Sequence, residues 1–218
     1  MAVMGEEKIR DSRKDLIYKT AVEMIAAEGF AASSIRDICK AVGIKESSFY
    51  LSFSKKDEIL DEVFAEFSTL FLKDPLPLEK IPPAVERYSP DRILTSALDL
   101  CFRRLDDCHI RHLWQILIVE QFRDVRAAKA LRKMNRRLAE TAAGLFGEWK
   151  RRGMIAESVD TASTAEFFAS SVRMLFYDYL SQGDDSVSFL HERDKLVLYF
   201  LSVMNVDRKK GGLEWEKI

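Results

Sequence analysis

The sequence predicts an all-α protein, and three observations support this fold class. Glycine and proline are few, 9 and 5 among 218 residues, and they fall in clusters. Between the clusters, apolar residues recur every three or four positions, which is the period of an amphipathic helix rather than of a strand. Hydrophobic residues make up 47% of the chain, enough to fill a core. We expect about nine helices from this periodicity.

The first two helices are expected at the N-terminus. Apolar side chains share one face from about residue 10 to residue 28, and a glycine follows. Either Ser33 or Ser34 can cap the next, shorter helix, because a serine oxygen can accept a hydrogen bond from the first free backbone N–H groups. In residues 35–42 the apolar positions repeat at i, i+3, i+4 and i+7, and Gly43 ends the helix.

Two more helices complete the expected head. A third short helix opens near Ser47 and carries three aromatic residues. Ser54, followed three residues later by Asp57, resembles an N-cap with an acidic partner and predicts the start of a fourth helix. Its wide apolar stripe continues to about Leu72, so the fourth helix is long enough to join the head to the rest of the chain.

The only proline-rich segment, residues 74–90, predicts a boundary between head and body. We expect a DNA-binding domain over residues 1–60 and a regulatory, effector-binding and dimerisation domain over residues 61–210. The body helices are expected at about residues 90–107, 110–122, 125–152, 161–182 and 189–206.

Charge and cysteine content restrict the function classes. The formal net charge is −1, and residues 1–60 contain ten basic and ten acidic side chains, so any attraction to phosphate depends on a few placed groups. The N-terminus has no apolar signal region, and no apolar run approaches the roughly 20 residues that span a bilayer. Three cysteines, Cys39, Cys101 and Cys108, are too few for a disulfide framework. We therefore expect a cytoplasmic protein with no membrane partner.

Residues 35–54 have the pattern of a helix-turn-helix. This motif needs a small residue in its first helix, a residue tolerant of positive φ at the turn, and an apolar residue that locks the second helix. Cys39, Gly43 and Phe49 occupy these positions. Two short helices around a glycine also occur in many other helical proteins, so the spacing leaves DNA binding as one of two interpretations.

A longer stretch of sequence carries a family resemblance. Residues 28–44, 48–50 and 53–60 resemble the head of the TetR family of transcriptional regulators, and the similarity extends over roughly residues 10–65 without a gap. The shared features are the Gly-Phe pair after the first helix, a hydroxyl residue before the second, the turn glycine, the tyrosine of the third helix and the lysine opening the fourth. The resemblance implies a homodimeric regulator, a repressor that leaves a palindromic double-stranded operator when a small-molecule effector binds the body.

Two groups of residues are expected to contact DNA. Helix N-termini hold phosphates through free N–H groups, and the resemblance adds a tyrosine hydroxyl. Exposed side chains around Arg36, Lys45, Glu46, Ser47 and Leu51 would read bases, since lysine can bond guanine and glutamate can accept from cytosine. The expected DNA-binding residues are Ser33, Ser34, Arg36, Lys45, Glu46, Ser47, Ser48, Tyr50, Leu51, Lys55 and Lys56. The alternatives are that the tyrosine is only a packed aromatic and the two lysines only solvated charges.

The sequence in and next to the third expected helix departs from the family pattern. Lys45-Glu46-Ser47 stands where a serine, a basic residue and a glycine are common in the family, and Leu51-Ser52 replaces a pair that is often aromatic or histidine. We therefore expect the operator sequence to be specific to this protein, with specificity set by the third helix.

The body sequence predicts an effector site and a dimer interface. A partly apolar effector needs an apolar cavity with a few polar anchors, and the candidates are Phe102, His112, Trp114, Gln115, Phe122, Arg173 and Tyr177. Two consecutive apolar helices can pair with their symmetry mates in a four-helix interface, and the candidates are Phe168, Val172, Leu175, Phe176, Tyr179, Leu196, Phe200 and Val203. The alternative is that both sets pack within the monomer core or lie on its surface.

Other function classes have less support. Cys108 and His112 are four residues apart, with His109 between them, but no complete set of metal ligands is visible, and we expect no metal or cofactor. An all-helical enzyme stays an alternative, although the chain has no phosphate-binding glycine loop, His-Glu-x-x-His or Gly-x-Ser-x-Gly motif. A non-specific architectural DNA binder is disfavoured because the chain is nearly neutral.

Overall fold

The computed structural model describes residues 2–71, 77–182 and 186–207. Within them lie ten α-helices and no strand, so the all-α prediction is confirmed. The helices are α1 (Ala2–Glu28), α2 (Ile35–Val42), α3 (Glu46–Phe49), α4 (Asp57–Phe71), α5 (Ile81–Arg87), α6 (Pro90–Phe102), α7 (Cys108–Glu120), α8 (Val125–Arg151), α9 (Thr161–Gln182) and α10 (Ser186–Val203). Short 3-10 turns span Leu78–Lys80 and Arg103–Asp106. None of the helices in these ranges is both long enough and apolar enough to cross a membrane.

The count of helices differs from the expected nine because α5 lies inside the proline-rich segment. Pro82 and Pro83 occupy its first turn, where a helix does not need the N–H group that proline lacks. The helix that begins at Pro90 ends at Phe102, five residues earlier than expected, and a 3-10 turn follows it. Residues 72–76, which include the expected end of the fourth helix, lie outside the described residues.

The chain divides into two compact units. The head unit comprises the chain up to Phe71 together with Asp106–Leu131, and the body unit comprises Leu72–Leu105 and the chain from Arg132 onward. The head unit therefore contains α1 to α4, α7 and the first part of α8, while α5, α6, α9 and α10 belong to the body unit. The functional division at residue 60 stays a prediction.

The core of the head unit extends beyond the helix-turn-helix. Ile17, Val22 and Ile25 on α1 are buried, and α1 packs against α2, α4 and α7. Trp114 of α7 is fully buried, with its ring edge-on to Phe67 at 5.0 Å between centroids. Since large aromatic side chains bury the most apolar area, this contact makes α7 part of the core that holds α1 and α4.

The core of the body unit is largely aromatic. Phe102 of α6 stacks on Phe176 of α9, with ring centroids 4.2 Å apart, and lies 4.1 Å from Phe189 of α10. A second cluster joins Phe168 of α9 to Phe200 of α10 at 5.1 Å. The apolar periodicity of these helices thus serves first to close the body of the monomer.

Two glycines, one at the end of a helix and one inside a helix, give opposite predictions for replacement by alanine. Gly43 ends α2 with φ +77°, a left-handed conformation, whereas Gly147 lies inside α8 with open space where a Cβ would be. We expect Gly43→Ala to lower the free energy of unfolding by about 1 kcal/mol, since only glycine adopts positive φ without a steric cost. We expect Gly147→Ala to raise it by about 0.5 kcal/mol or more through helix propensity. Urea denaturation checks both, and a Gly43→Ala variant as stable as the parent would contradict the turn geometry.

Candidate nucleic-acid interface

The turn between α2 and α3 has the geometry that the sequence predicts. Ser34 is the N-cap of α2, and its Oγ accepts a hydrogen bond from the Asp37 backbone N–H at 3.1 Å. At the other end, the backbone N–H of Ile44 donates to the Cys39 carbonyl at 2.9 Å, which closes the helix around Gly43. Phe49 of α3 is fully buried. The cap, the glycine and the aromatic lock together fix α3 relative to α2.

The third helix is short and presents a polar surface. It begins at Glu46, one residue before the expected start, and ends at Phe49. The exposed side chains in this helix and next to it are those of Lys45, Glu46, Ser47, Tyr50 and Leu51. The Tyr50 ring packs edge-on to Phe49, with centroids 5.6 Å apart, and keeps 53% of its surface exposed. Four of the five residues expected to read bases therefore lie together on one exposed segment, with Phe49 buried behind it, whereas Arg36 lies on α2.

The two candidate serines at the start of α2 have different environments. Ser33 is fully buried, and its hydroxyl donates to the Gly29 carbonyl at 3.0 Å. Ser34 is partly exposed at the cap, and Arg36 is exposed in the first turn. The Ser34 hydroxyl also has an internal partner, since it donates to the Asp37 carboxylate. Arg36 is therefore the one of the three whose side chain is exposed for an anion at this helix end.

Lys56 has a structural environment that its sequence position does not reveal. Its Nζ donates to the carbonyls of Phe30 at 2.6 Å and Ser33 at 2.9 Å, and it lies 4.1 Å from the centroid of the Phe30 ring. Burial lowers the pKa of the Lys56 ammonium. The side chain ties the start of α4 to the loop before α2, and its role in binding phosphate stays a prediction. Ser48 is partly buried and Lys55 is exposed.

This environment predicts unequal effects for two adjacent lysines. We expect Lys56→Met to lower the free energy of unfolding by about 1–2 kcal/mol, because it removes two charge-assisted hydrogen bonds and a cation–π contact. Lys55→Met is the matched control, since that ammonium is exposed and has only a 4.0 Å pair with Asp57, so a change within about 0.5 kcal/mol is expected. Equal effects of the two substitutions in chemical denaturation would rule out the anchoring role of Lys56.

The start of α4 corrects the expected cap. The helix begins at Asp57, and the partner of Ser54 is Glu58 rather than Asp57. The Ser54 backbone N–H donates to Glu58 Oε2 at 2.8 Å, and its hydroxyl donates to the same carboxylate. The i+4 carboxylate reaches back over one turn in the way that an N3 residue does in a capping box. Asp57 is thereby available for another contact.

That contact is an ion-pair cluster around Arg126, at the start of α8. The guanidinium donates to both carboxylate oxygens of Asp57 at 3.0 Å, to Asp61, and to Asp124 through Nε at 3.0 Å. Hydrogen bonds to Asp124 and Asp57 raise the pKa of Arg126, and the same guanidinium lowers the pKa of Asp124. The cluster joins the first turns of α4 and α8 within the head unit.

A second cluster joins three helices of the head unit. The Tyr18 hydroxyl of α1 donates to Glu66 Oε2 of α4 at 2.6 Å, and Nε2 of His109 in α7 lies 3.1 Å from the same oxygen. Burial and the hydrogen bond to Glu66 raise the pKa of Tyr18. His109 thus has a carboxylate partner. In the ranges that the structure describes, no three His, Cys, Asp or Glu side chains are placed to hold a metal ion.

The candidate effector residues are divided between the two units. Trp114 is fully buried in the head core, Phe122 of the same unit is 87% exposed, and Phe102 is stacked in the body core. The others, His112 and Gln115 in the head unit and Arg173 and Tyr177 in the body unit, are partly buried. The set stays a prediction, and the structure gathers no more than four of its members in one unit.

The candidate dimer residues lie mostly inside the body unit. Phe168, Val172, Leu175, Phe176 and Phe200 are buried, Tyr179 and Leu196 are partly buried, and Val203 is 55% exposed. The same two helices expose large apolar side chains that sequence reasoning missed, namely Phe167, Met174, Leu198 and Tyr199. These residues carry the same apolar signal as their buried neighbours, so the sequence identified the helices but not which side of each faces outward.

Comparison with known proteins identifies the head. Residues 17–63 match the family model described as bacterial regulatory proteins, tetR family. The head of the chain therefore has a TetR-type sequence. The TetR-type match includes the last 12 residues of α1, the whole helix-turn-helix and about the first half of α4. The resemblance expected from the turn glycine, Tyr50 and Lys56 is therefore confirmed.

Curated TetR-type relatives align with about a quarter of the chain. An uncharacterised HTH-type transcriptional regulator of Bacillus subtilis, YerO, is 38% identical over 50 residues, which are 23% of this chain and 17% of that protein. The HTH-type transcriptional repressor KstR2 of Mycolicibacterium smegmatis is 36% identical over 56 residues, 26% of this chain and 27% of the relative. The chain thus spans no more than 27% of the length of either relative.

Solved structures extend the likeness of fold to most of the chain. A SmeT–triclosan complex aligns over 95% of the chain and 99% of its own, with a TM-score of 0.68 and 15% identity. The ketosteroid transcriptional regulator KstR2 of Mycobacterium tuberculosis aligns over 93% and 96%, with a TM-score of 0.61 and 17% identity. At these identities the likeness is one of fold.

Proposed function

We propose that this chain is a DNA-binding transcriptional regulator, a repressor that leaves a palindromic operator when a small molecule binds its body. The observation that carries the proposal is the exposed segment 45–51, which the buried Phe49 and the left-handed Gly43 hold against α2. The match of residues 17–63 to a family of bacterial regulatory proteins supports the same role.

The proposal gives the two helices of the motif different tasks. The capped N-terminus of α2, with Ser34 and Arg36, positions the head on a phosphate, and the Tyr50 hydroxyl binds a second phosphate. Lys45 and Glu46, both exposed, read base edges in the major groove, where lysine bonds guanine and glutamate accepts from cytosine. Because these side chains depart from the usual family residues, the operator sequence is this protein's own.

The proposal also requires a dimer, since two heads roughly 34–36 Å apart contact successive turns of a palindrome. The exposed apolar residues of α9 and α10 support an interface there. Met174 and Tyr199 are 52% and 63% exposed, and they line a shallow groove of about 390 Å³ together with Asp178, Glu192 and Lys195. An apolar centre with a charged rim is typical of a protein interface, and a second copy of the chain would cover it.

The interface predicts a change of oligomeric state. We expect Tyr199→Glu to convert the dimer into a monomer in sedimentation equilibrium, because a carboxylate would be desolvated at the centre of the interface. Phe122→Glu is the matched control: its side chain is also exposed, at 87%, but it lies in the head unit, and the dimer should persist. A Tyr199→Glu variant that sediments as a dimer would place the interface elsewhere.

We further propose that the protein acts in the cytoplasm, uses no cofactor and is not an enzyme. The low cysteine content is consistent with a reducing compartment. The family assignment supports a regulatory role rather than a catalytic one.

The proposed function is tested by selecting DNA with the full-length protein. A random duplex library and fragments from the upstream region of the protein's own gene are incubated with it, and bound DNA is sequenced and footprinted. We expect an enriched palindrome whose half-sites are one helical turn apart. Binding without any enriched sequence would instead indicate a non-specific architectural protein. The absence of any binding would contradict the proposed DNA-binding function.

A further inference from the structure

A cleft of about 350 Å³ lies between α5 and α6 in the body unit, apart from the residues that the sequence marked as effector contacts. Its lining residues are Ala84, Tyr88, Arg92, Ile93, Ser96, Ala97 and Leu100. Five of them come from one face of α6, where they recur at helical spacing, and the other two come from α5 and the residue that ends it. The cleft is therefore formed by two consecutive helices and does not depend on distant parts of the chain.

The lining divides into an apolar part and a polar part. Ala84, Ile93, Ala97 and Leu100 supply hydrocarbon, and Leu100 keeps 46% of its surface exposed. The polar part consists of hydroxyls and a guanidinium. Small-molecule sites typically combine an apolar surface with a few polar groups that fix orientation, in volumes of roughly 300–1,000 Å³. At the lower end of that range, the cleft suits a small ligand.

The polar part carries the positive charge of Arg92, an exposed side chain at the edge of the cleft, and Arg87 is exposed nearby. The Arg92 guanidinium lies 5.1 Å from the centroid of the Tyr88 ring, and the Arg87 guanidinium lies 5.5 Å from the same ring. Among the described residues, no carboxylate forms an ion pair with either arginine. Two cations beside one aromatic ring favour an anion near them, and a guanidinium can donate two parallel hydrogen bonds to a carboxylate.

We propose that this cleft binds a small amphipathic carboxylic acid. The carboxylate pairs with Arg92 and accepts hydrogen bonds from the Ser96 and Tyr88 hydroxyls, while the hydrocarbon part lies along Ile93 and Ala97. The assignment rests on the proposed function only in treating this acid as the effector; the binding site itself is tested without DNA.

The test is isothermal titration calorimetry of the full-length protein with decanoate below its micellar range, with decanol as the neutral counterpart. We expect saturable decanoate binding at least tenfold tighter than that of decanol. Arg92→Gln is expected to weaken decanoate binding tenfold or more and to leave decanol binding unchanged, since only the charged head loses its partner. Arg103→Gln, an exposed arginine just after α6, is the matched control and should change neither.

A blocking variant tests the location. Ala97→Phe should abolish binding of decanoate by filling the cleft, and Ser96→Phe, at an exposed position that tolerates a larger side chain, does the same if the first variant does not fold. The proposal is overturned if decanoate does not bind, if decanol binds equally well, or if Arg92→Gln and the blocking variants leave the decanoate affinity unchanged.

A separate DNA-binding measurement keeps this proposal distinct from the proposed function. If the protein binds no operator, the regulatory role fails, but calorimetry still decides whether the cleft takes an acid. If decanoate binds in the cleft and operator affinity falls, both are supported. Decanoate binding that leaves operator affinity unchanged overturns the assignment of the cleft as the effector site.

Discussion

Replacing Lys45 and Tyr50 together by alanine is expected to weaken operator binding by about a hundredfold or more, which corresponds to losing one base contact and one phosphate contact. Both side chains are exposed beside the buried Phe49, so their removal leaves the core of the head unchanged. The free energy of unfolding should fall by only about 1 kcal/mol, because the Tyr50 ring loses its edge-on contact with Phe49. Fluorescence anisotropy with a labelled operator, at one fixed salt concentration, measures the loss.

The matched control removes one exposed lysine and one exposed aromatic ring elsewhere on the head unit. Lys129 and Phe122 are an exposed lysine and an exposed aromatic residue of that unit, away from the helix-turn-helix in the sequence. The Lys129→Ala, Phe122→Ala double variant should bind the operator about as tightly as the parent. Parental affinity in the Lys45, Tyr50 double variant would show that the exposed segment 45–51 is not the reading surface.

Replacing Trp114 by alanine is expected to lower the free energy of unfolding by about 3–5 kcal/mol, the range for deleting a large buried aromatic side chain. Trp114 is fully buried, and its ring is edge-on to Phe67 and Phe71 of α4 at 5.0 and 5.2 Å. The cavity left by the deleted side chain would lie between α7 and α4. Urea denaturation followed by far-UV circular dichroism measures the change without relying on tryptophan emission.

The comparison variant is Phe122→Ala, eight residues further along the chain. Its side chain is 87% exposed, so we expect a change of no more than about 0.5 kcal/mol. Because α7 shares a compact unit with α1 and α4, Trp114→Ala should also lower operator affinity at temperatures where the head unit begins to unfold. A loss of stability no greater than that of Phe122→Ala would mean that α7 does not support the head.

Local sequence signals predicted the helix-turn-helix because its determinants are local. Ser34 caps a helix that begins at the next residue, Gly43 ends it with positive φ, and Phe49 is buried six residues later. Each of these requirements involves neighbours within a few positions, so a single sequence contains them. The same reasoning failed for α5, because Pro82 and Pro83 indicate a break in most contexts and are tolerated only in the first turn of a helix.

The contacts that join distant segments could not be predicted in this way. Arg126 and Asp57 are 69 positions apart, and Glu66 and His109 are 43 positions apart, so no periodicity relates them. Lys56 was recognised as a family position, but its two carbonyl partners follow from the path of the loop before α2. Pairings of this kind depend on how the helices pack, which a helical pattern does not specify.

The sequence also could not predict which sides of α9 and α10 face outward. Phe167 and Phe168 are adjacent and chemically identical, yet they are 70% and 4% exposed. When a helix is apolar on more than one side, the pattern predicts burial of the helix without showing which side meets its own core and which would meet a second copy. The candidate effector residues are predicted from residue type alone. Residue type does not specify which unit a residue belongs to, and the candidates divide between the two units.

The central claim is that the head recognises one DNA sequence, and a salt series of anisotropy titrations tests it most directly. Full-length protein is titrated against the selected palindrome and against a shuffled duplex of the same length and base composition. At physiological salt we expect the palindrome to bind at least about a thousandfold more tightly, with both affinities falling as salt rises. Equal affinity for the two duplexes across the salt series would contradict the account.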